Sequence, residues 1–131
     1  MSRRKSREQA FALLFEKSFN DLPVEELVEG AWDARELEVE DFAMRLAVGT
    51  ESKLEEIDSL IDAHSHKWSR DRISRVALAV LRLAIYEMRY EEETPTSIAI
   101  NEAVELAKRY GGDEDSSYVN GVLGGIARQA E

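Results

Sequence analysis

Apolar positions recur at intervals of three and four along most of the chain, a period that predicts helices and no convincing strand. A first helix covers about Arg4 to Asn20, with Ala10, Phe11, Leu14, Phe15 and Phe19 toward one side. Asn20-Asp21-Leu22 breaks it, and Pro23 suits the opening turn of a second helix. There Val24, Leu27, Val28, Ala31 and Trp32 keep the period, and Asp33 to Val39 reads as a polar connection. A long third helix follows, with Phe42, Ala43, Leu46, Thr50, Leu54, Ile57, Leu60, Ile61 and His64 on or near one stripe. Gly49 inside it is tolerable at about 1 kcal/mol relative to alanine.

His64 to Arg72 is a polar hinge containing Trp68. It divides one domain, residues 1–131, into helical halves 1–66 and 67–131 that share a core. Ser74 is placed to cap a helix from Arg75 to Tyr90, whose wide apolar arc (Val76, Val80, Leu81, Leu83, Ala84, Met88) predicts a central, buried element. Thr94-Pro95 separates it from a helix carrying Ile98, Ile100, Ala103, Val104, Leu106 and Ala107, and Gly111-Gly112 supplies a left-handed stop. Val119, Val122, Leu123, Ile126 and Ala127 face inward from the last helix. Gly121, Gly124 and Gly125 within it imply either close backbone approach or local weakness. The expected fold is all-α, with about seven helices.

Composition fits this reading: 44% of residues are hydrophobic, 34% are charged, and there are only two prolines. Cysteine is absent, which removes disulfides and thiolate chemistry. No apolar run reaches membrane-spanning length, and Phe11 to Phe15 is too short for a signal peptide, so a cytoplasmic location without membrane contact is expected. The formal net charge of −10 sets the chain against polyanions at long range. Nucleic acid would therefore have to meet a local basic patch.

Such a patch opens the chain. Arg3, Arg4, Lys5 and Arg7 crowd the start of the first helix, where the backbone dipole favours acidic side chains and like charges four apart repel. Phosphate capture explains the placement, and a frayed basic tail is the bland alternative. Lys108 and Arg109 end a later helix, where cations also act as plain end caps. Tyr110 and Tyr118 bracket the turn that follows, so bases could stack there, or both rings could belong to the core. Asn120 adds an amide able to read a base edge.

Catalytic patterns are missing. His64 and His66 are two apart and point to different sides of a helix, so no metal site is expected. No phosphate loop, nucleophile elbow or cofactor fingerprint occurs. The expectation is a non-enzymatic chain without cofactor.

Arg3-Arg4-Lys5-Ser6-Arg7-Glu8 leading into Ala10–Phe15 resembles the arginine-rich N-terminal motif of the NusB family of bacterial transcription antitermination factors. Val80 to Met88 resembles that family's central helix, and Pro95 with Ala99-Ile100-Asn101-Glu102-Ala103-Val104-Glu105-Leu106-Ala107-Lys108 its most recognisable stretch. Tyr118-Val119-Asn120-Gly121-Val122-Leu123 is similar to its closing motif, where the family commonly has Phe first. Ala77 and Gly124 depart from the family pattern, in which acidic side chains, or an amide at the first position, are common.

The resemblance implies two small helical bundles set across each other. It also implies binding of single-stranded boxA-type RNA from nascent ribosomal RNA transcripts, together with the ribosomal protein NusE, so that RNA polymerase does not terminate prematurely. On this reading Arg3, Arg4, Lys5 and Arg7 meet phosphates, and Lys108, Arg109, Tyr110, Tyr118 and Asn120 form a second RNA patch. With the first helix given to RNA, Val76, Ala77, Val80 and Glu87 are expected to dock NusE. Two alternatives stand beside it. One is a module related to the N-terminal domain of ribosomal RNA cytosine methyltransferases, although the chain reaches Glu131 without a βαβ unit. The other is a purely structural helical oligomer. Monomer and homodimer are both compatible with the sequence.

Overall fold

The computed structural model of the chain describes residues 2–35 and 39–129, with side chains outside 31–35. Seven α-helices and one 3₁₀ turn, and no strand, occur among these residues: α1 (Arg3–Asn20), α2 (Val24–Arg35), α3 (Asp41–Ser52), α4 (Leu54–His64), the turn Arg70–Arg72, α5 (Arg75–Tyr90), α6 (Thr96–Tyr110) and α7 (Asp113–Gln129). The expected inward positions Ala31 and Trp32 fall among the side chains not described. The polar connection begins later than expected, because α2 continues to Arg35.

Helix ends follow local chemistry. The Ser2 hydroxyl accepts from the Lys5 N–H at 3.2 Å and caps α1, and Ser74 does the same for α5 through Ala77. At the close of α6 the N–H groups of Gly111 and Gly112 both donate to the Ala107 carbonyl, at 2.8 and 3.0 Å. Gly112 then turns the chain at φ +110°, a left-handed conformation that a Cβ would penalise.

The long third helix expected from the apolar stripe is two helices. Lys53, at φ −120° and ψ 17°, interrupts it between α3 and α4. Just before the break the Thr50 hydroxyl donates to the Leu46 carbonyl and the Ser52 hydroxyl to the Gly49 carbonyl, both at 2.7 Å. Such back-bonding competes with the helical ladder and bends it. The apolar period ran on across the break because both segments bury their stripes against the same core.

Gly49 is more than tolerated. A Cβ there would fall within the Tyr86 ring, so the absent side chain is what lets α3 lie against α5. The three glycines of α7 are different. Gly121 has open space beside its Cα, Gly125 would make only ordinary contact with His64 at 3.4 Å, and Gly124 would meet only the flexible end of the Arg128 side chain at 3.3 Å, so close backbone approach does not explain them.

α5 packs against α1, α3, α4, α6 and α7 and is the axis of the molecule. One continuous apolar cluster runs from Ala10 and Phe11 through Leu46, Ile57 and Leu81 to Leu123 and Ile126, drawing on both halves of the chain. The buried central helix read from its wide apolar arc is present.

Candidate nucleic-acid interface

The basic start of α1 divides by helical phase. Arg3, Arg4 and Lys5 are exposed. Arg7 lies one turn before Phe11 and two before Leu14, and so points into the molecule, where it is only 6% exposed. Its guanidinium grips the Glu87 carboxylate of α5 through Nε at 2.9 and 3.0 Å and Nη2 at 2.5 Å. These charge-assisted bonds raise the Arg7 pKa above its already high ordinary value, against the opposing effect of burial. Arg7 therefore does not present itself to phosphate, contrary to the sequence expectation, because a buried carboxylate already occupies its fork.

Carboxylates also meet the exposed cations. Arg4 donates to Glu102 through Nε and Nη2 at 3.2–3.3 Å, and Arg7 Nη1 stands 3.8 Å from the same carboxylate. Arg3 lies 4.0 Å from Glu93 and sits over the Phe42 ring, 4.1 Å from its centroid. From the end of α6, Arg109 donates to Glu8 at 2.8 Å. Arg4 and Arg109 thus flank one groove between α1 and α6, whose lining also includes Arg7, Glu8, Glu102 and Glu105. Lys5 and Lys108 are exposed, and neither makes an ion pair among the described residues.

The two tyrosines go separate ways. Tyr110 stacks on Phe11 at 5.0 Å between centroids, with the Arg109 guanidinium 5.5 Å from its ring. Tyr118 packs against Trp68 at 4.7 Å. The Ser65 hydroxyl donates to the Trp68 carbonyl, which leaves its oxygen to accept from the Tyr118 hydroxyl. Both tyrosines do not form one platform with Lys108 and Arg109. Instead Tyr118 stands behind an open pocket of about 820 Å³, whose lining includes His66, Lys67, Trp68 and Arg70 and also the carboxylates of Asp62 and Asp71. Lys67 lies over the Trp68 ring at 4.3 Å. The sequence reading missed Trp68 as a partner of Tyr118, although a tryptophan in a polar, non-helical hinge was the available signal. Asn120 is exposed on α7.

The expected protein-docking residues are mostly interior. Ala77 and Val80 are each 1% exposed and Glu87 is 2% exposed, the last committed to Arg7. A helix contacted on nearly every side has little surface left to offer. Val76 alone of the four reaches a surface groove, of about 550 Å³, together with Phe11, Ala12, Phe15, Phe19 and Tyr110. Phe19 is 61% exposed there and Tyr110 45%, and Arg75 lies over the Phe19 ring at 4.3 Å. Among the described residues no group of acidic or histidine side chains is arranged to hold a metal ion.

Residues 4–128 match the NusB family. The chain belongs to that family. It is 40% identical to the transcription antitermination protein NusB of Clostridium botulinum over 138 residues, covering 95% of this chain and 98% of that one. It is 41% identical to the protein of the same name from Myxococcus xanthus, covering 96% and 94%. Among solved structures it is similar to T. maritima NusB, with a TM-score of 0.87, 36% identity, and coverage of 98% of this chain and 92% of the other. It is also similar to the NusB chain of a complex of antitermination factors NusB and NusE with double-stranded RNA, with a TM-score of 0.85, 27% identity, and coverage of 97% and 96%. The all-α NusB fold expected from the sequence is the one present.

Proposed function

We propose that the chain is an RNA-binding transcription antitermination factor that acts with NusE, by binding rather than catalysis. The observation that carries the reading is the groove between α1 and α6, where the exposed guanidinium groups of Arg4 and Arg109 face each other across one cleft. RNA phosphates run along Arg3, Arg4, Lys5, Lys108 and Arg109. A base enters the pocket beside Trp68, which Tyr118 backs, whereas Asn120, two residues further along α7, points to a different side of that helix. Arg7 holds the base of α1 to α5 and supports its exposed neighbours from behind.

NusE docks on the apolar groove of Phe11, Phe15, Phe19, Val76 and Tyr110 rather than on the buried face of α5. Large exposed aromatic rings side by side are unusual on a surface that faces only water. Tyr110 stands where the apolar groove meets the cationic one, so RNA and NusE bind next to each other. Their binding is cooperative, and each tightens the other by the same factor. The RNA is boxA-type and single-stranded, and the complex is carried by RNA polymerase in the cytoplasm. No helix among the described residues is long and apolar enough to cross a membrane.

Titrating a boxA-type RNA into the chain, with and without NusE, tests this reading. Affinity is expected to be modest alone, higher with NusE, and to fall with salt. Phe19→Asp is expected to abolish the gain from NusE while leaving RNA binding by the isolated chain intact. Salt-independent binding, or equal affinity in both arms, would overturn the reading. A doubled mass in solution that Phe19→Asp reverses would instead assign the apolar groove to a second copy of the chain.

A further inference from the structure

The groove between α1 and α6 is not a basic groove. Its lining holds three arginines, Arg4, Arg7 and Arg109, and three glutamates, Glu8, Glu102 and Glu105. Glu102 and Glu8 lie beneath their arginines, 17% exposed against 66% for Arg4 and 63% for Arg109. Glu105 is exposed and makes no hydrogen bond or ion pair, yet it lies close enough to act on the Arg4 charge. A stability role covers Glu102, which also stands 3.8 Å from the buried Arg7, and covers Glu8 in part, although the pair of Glu8 with Arg109 is open to water and contributes little. It does not cover Glu105, which has no partner to stabilise.

We infer that Glu8, Glu102 and Glu105 are specificity-determining residues of the RNA interface: they neutralise the arginine groove so that phosphate contacts alone do not hold RNA. The inference rests on the RNA-binding reading above. A phosphodiester carries one negative charge at every nucleotide, whatever the sequence, so an uncompensated arginine groove would bind any RNA. With each arginine facing a carboxylate, a phosphate entering the groove gains the guanidinium but also meets a fixed negative charge a few ångströms away. The two effects nearly cancel, and net affinity has to come from groups that recognise a base, such as the pocket at Trp68 and Tyr118. A chain with net charge −10 thereby avoids bulk RNA and keeps the right RNA.

The test compares Glu105→Gln, Glu102→Gln and Glu8→Gln with the unaltered chain against two RNAs of equal length, a boxA-type single strand and its scrambled sequence. Each substitution is close to isosteric, and Glu105→Gln breaks no bond, so this variant remains informative if another loses stability. Each is expected to tighten both RNAs, by about three- to tenfold for Glu102→Gln and less for the exposed Glu105→Gln. The scrambled RNA is expected to gain more, so that the affinity ratio between the two falls. Lys5→Ala, measured alongside, is expected to weaken both. If Lys5→Ala weakens binding but the three glutamine variants leave affinity and ratio unchanged, the inference falls and the RNA-binding reading stands. If no variant binds either RNA, with or without NusE, both fall together.

Discussion

Arg7 and Glu87 lie 80 positions apart in the sequence and form a buried bidentate ion pair between the second turn of α1 and the last turn of α5. The pair fastens the basic end of α1 to the central helix. It also divides four cations that look equivalent in the sequence into one structural residue and three that face solvent.

Removing one partner of that pair strands the other charge in a site water does not reach. Arg7→Ala is expected to cost about 3–5 kcal/mol of folding stability. Replacing both partners with apolar residues of similar size, Arg7→Met with Glu87→Leu, should cost much less. Urea unfolding of the two variants checks this, and equal losses would show that the pair itself, not the stranded charge, carries the energy.

Two glycines should respond to alanine in opposite ways. Gly49→Ala pushes a methyl group into the Tyr86 ring and is expected to destabilise by about 1–3 kcal/mol. Gly121→Ala meets nothing within 4 Å in a helix interior and is expected to stabilise by about 0.5–1 kcal/mol. Thermal melts of both report the sign directly.

Lys5 and Lys108 make no ion pair among the described residues and are available to phosphate at no structural cost. Lys5→Ala and Lys108→Ala should each reduce the slope of log affinity against log salt by about 0.7 for a single strand. The melting temperature should stay where it is. An unchanged slope would remove that lysine from the RNA path.

On the proposed reading the Tyr118 ring serves RNA, while its hydroxyl serves the fold through Ser65, and two substitutions separate the two roles. Tyr118→Phe should keep RNA affinity while losing about 0.5–1.5 kcal/mol of stability with the bond to Ser65. Tyr118→Ala should also weaken RNA binding by about 1–3 kcal/mol. Full RNA affinity in the alanine variant would assign the ring to the core alone.

The sequence carried the helices, the Ser74 cap, the Gly111-Gly112 stop and the central place of α5, because each depends on neighbours within a turn or two. It also carried the exposure of Arg3, Arg4 and Lys5. The fate of Arg7 was present but unread. Arg7 continues the Ala10, Phe11 and Leu14 stripe on α1, as Glu87 continues the Val80, Leu83 and Ala84 stripe on α5. Two opposite charges, each on an otherwise buried face, have little to do except meet. Partnerships such as Trp68 with Tyr118, or Arg4 with Glu102, depend on how distant helices are laid together, and local periodicity holds no record of that.

The interruption at Lys53 decides where α4 ends. α3 and α4 are separate struts of 12 and 11 residues, about 18 and 16 Å long, not one straight rod of twice the reach. The second strut ends with His64 against Gln129 and Ser65 against Tyr118, at the flank of α7. The Trp68 pocket is thus indexed to a residue count. Deleting one residue between Lys53 and Ser65 would rotate everything beyond it by about 100° and swing the Ser65 anchor away from its tyrosine. Substitutions along the outer face of α4 leave that phase intact, so this stretch should accept changes of side chain freely and changes of length hardly at all.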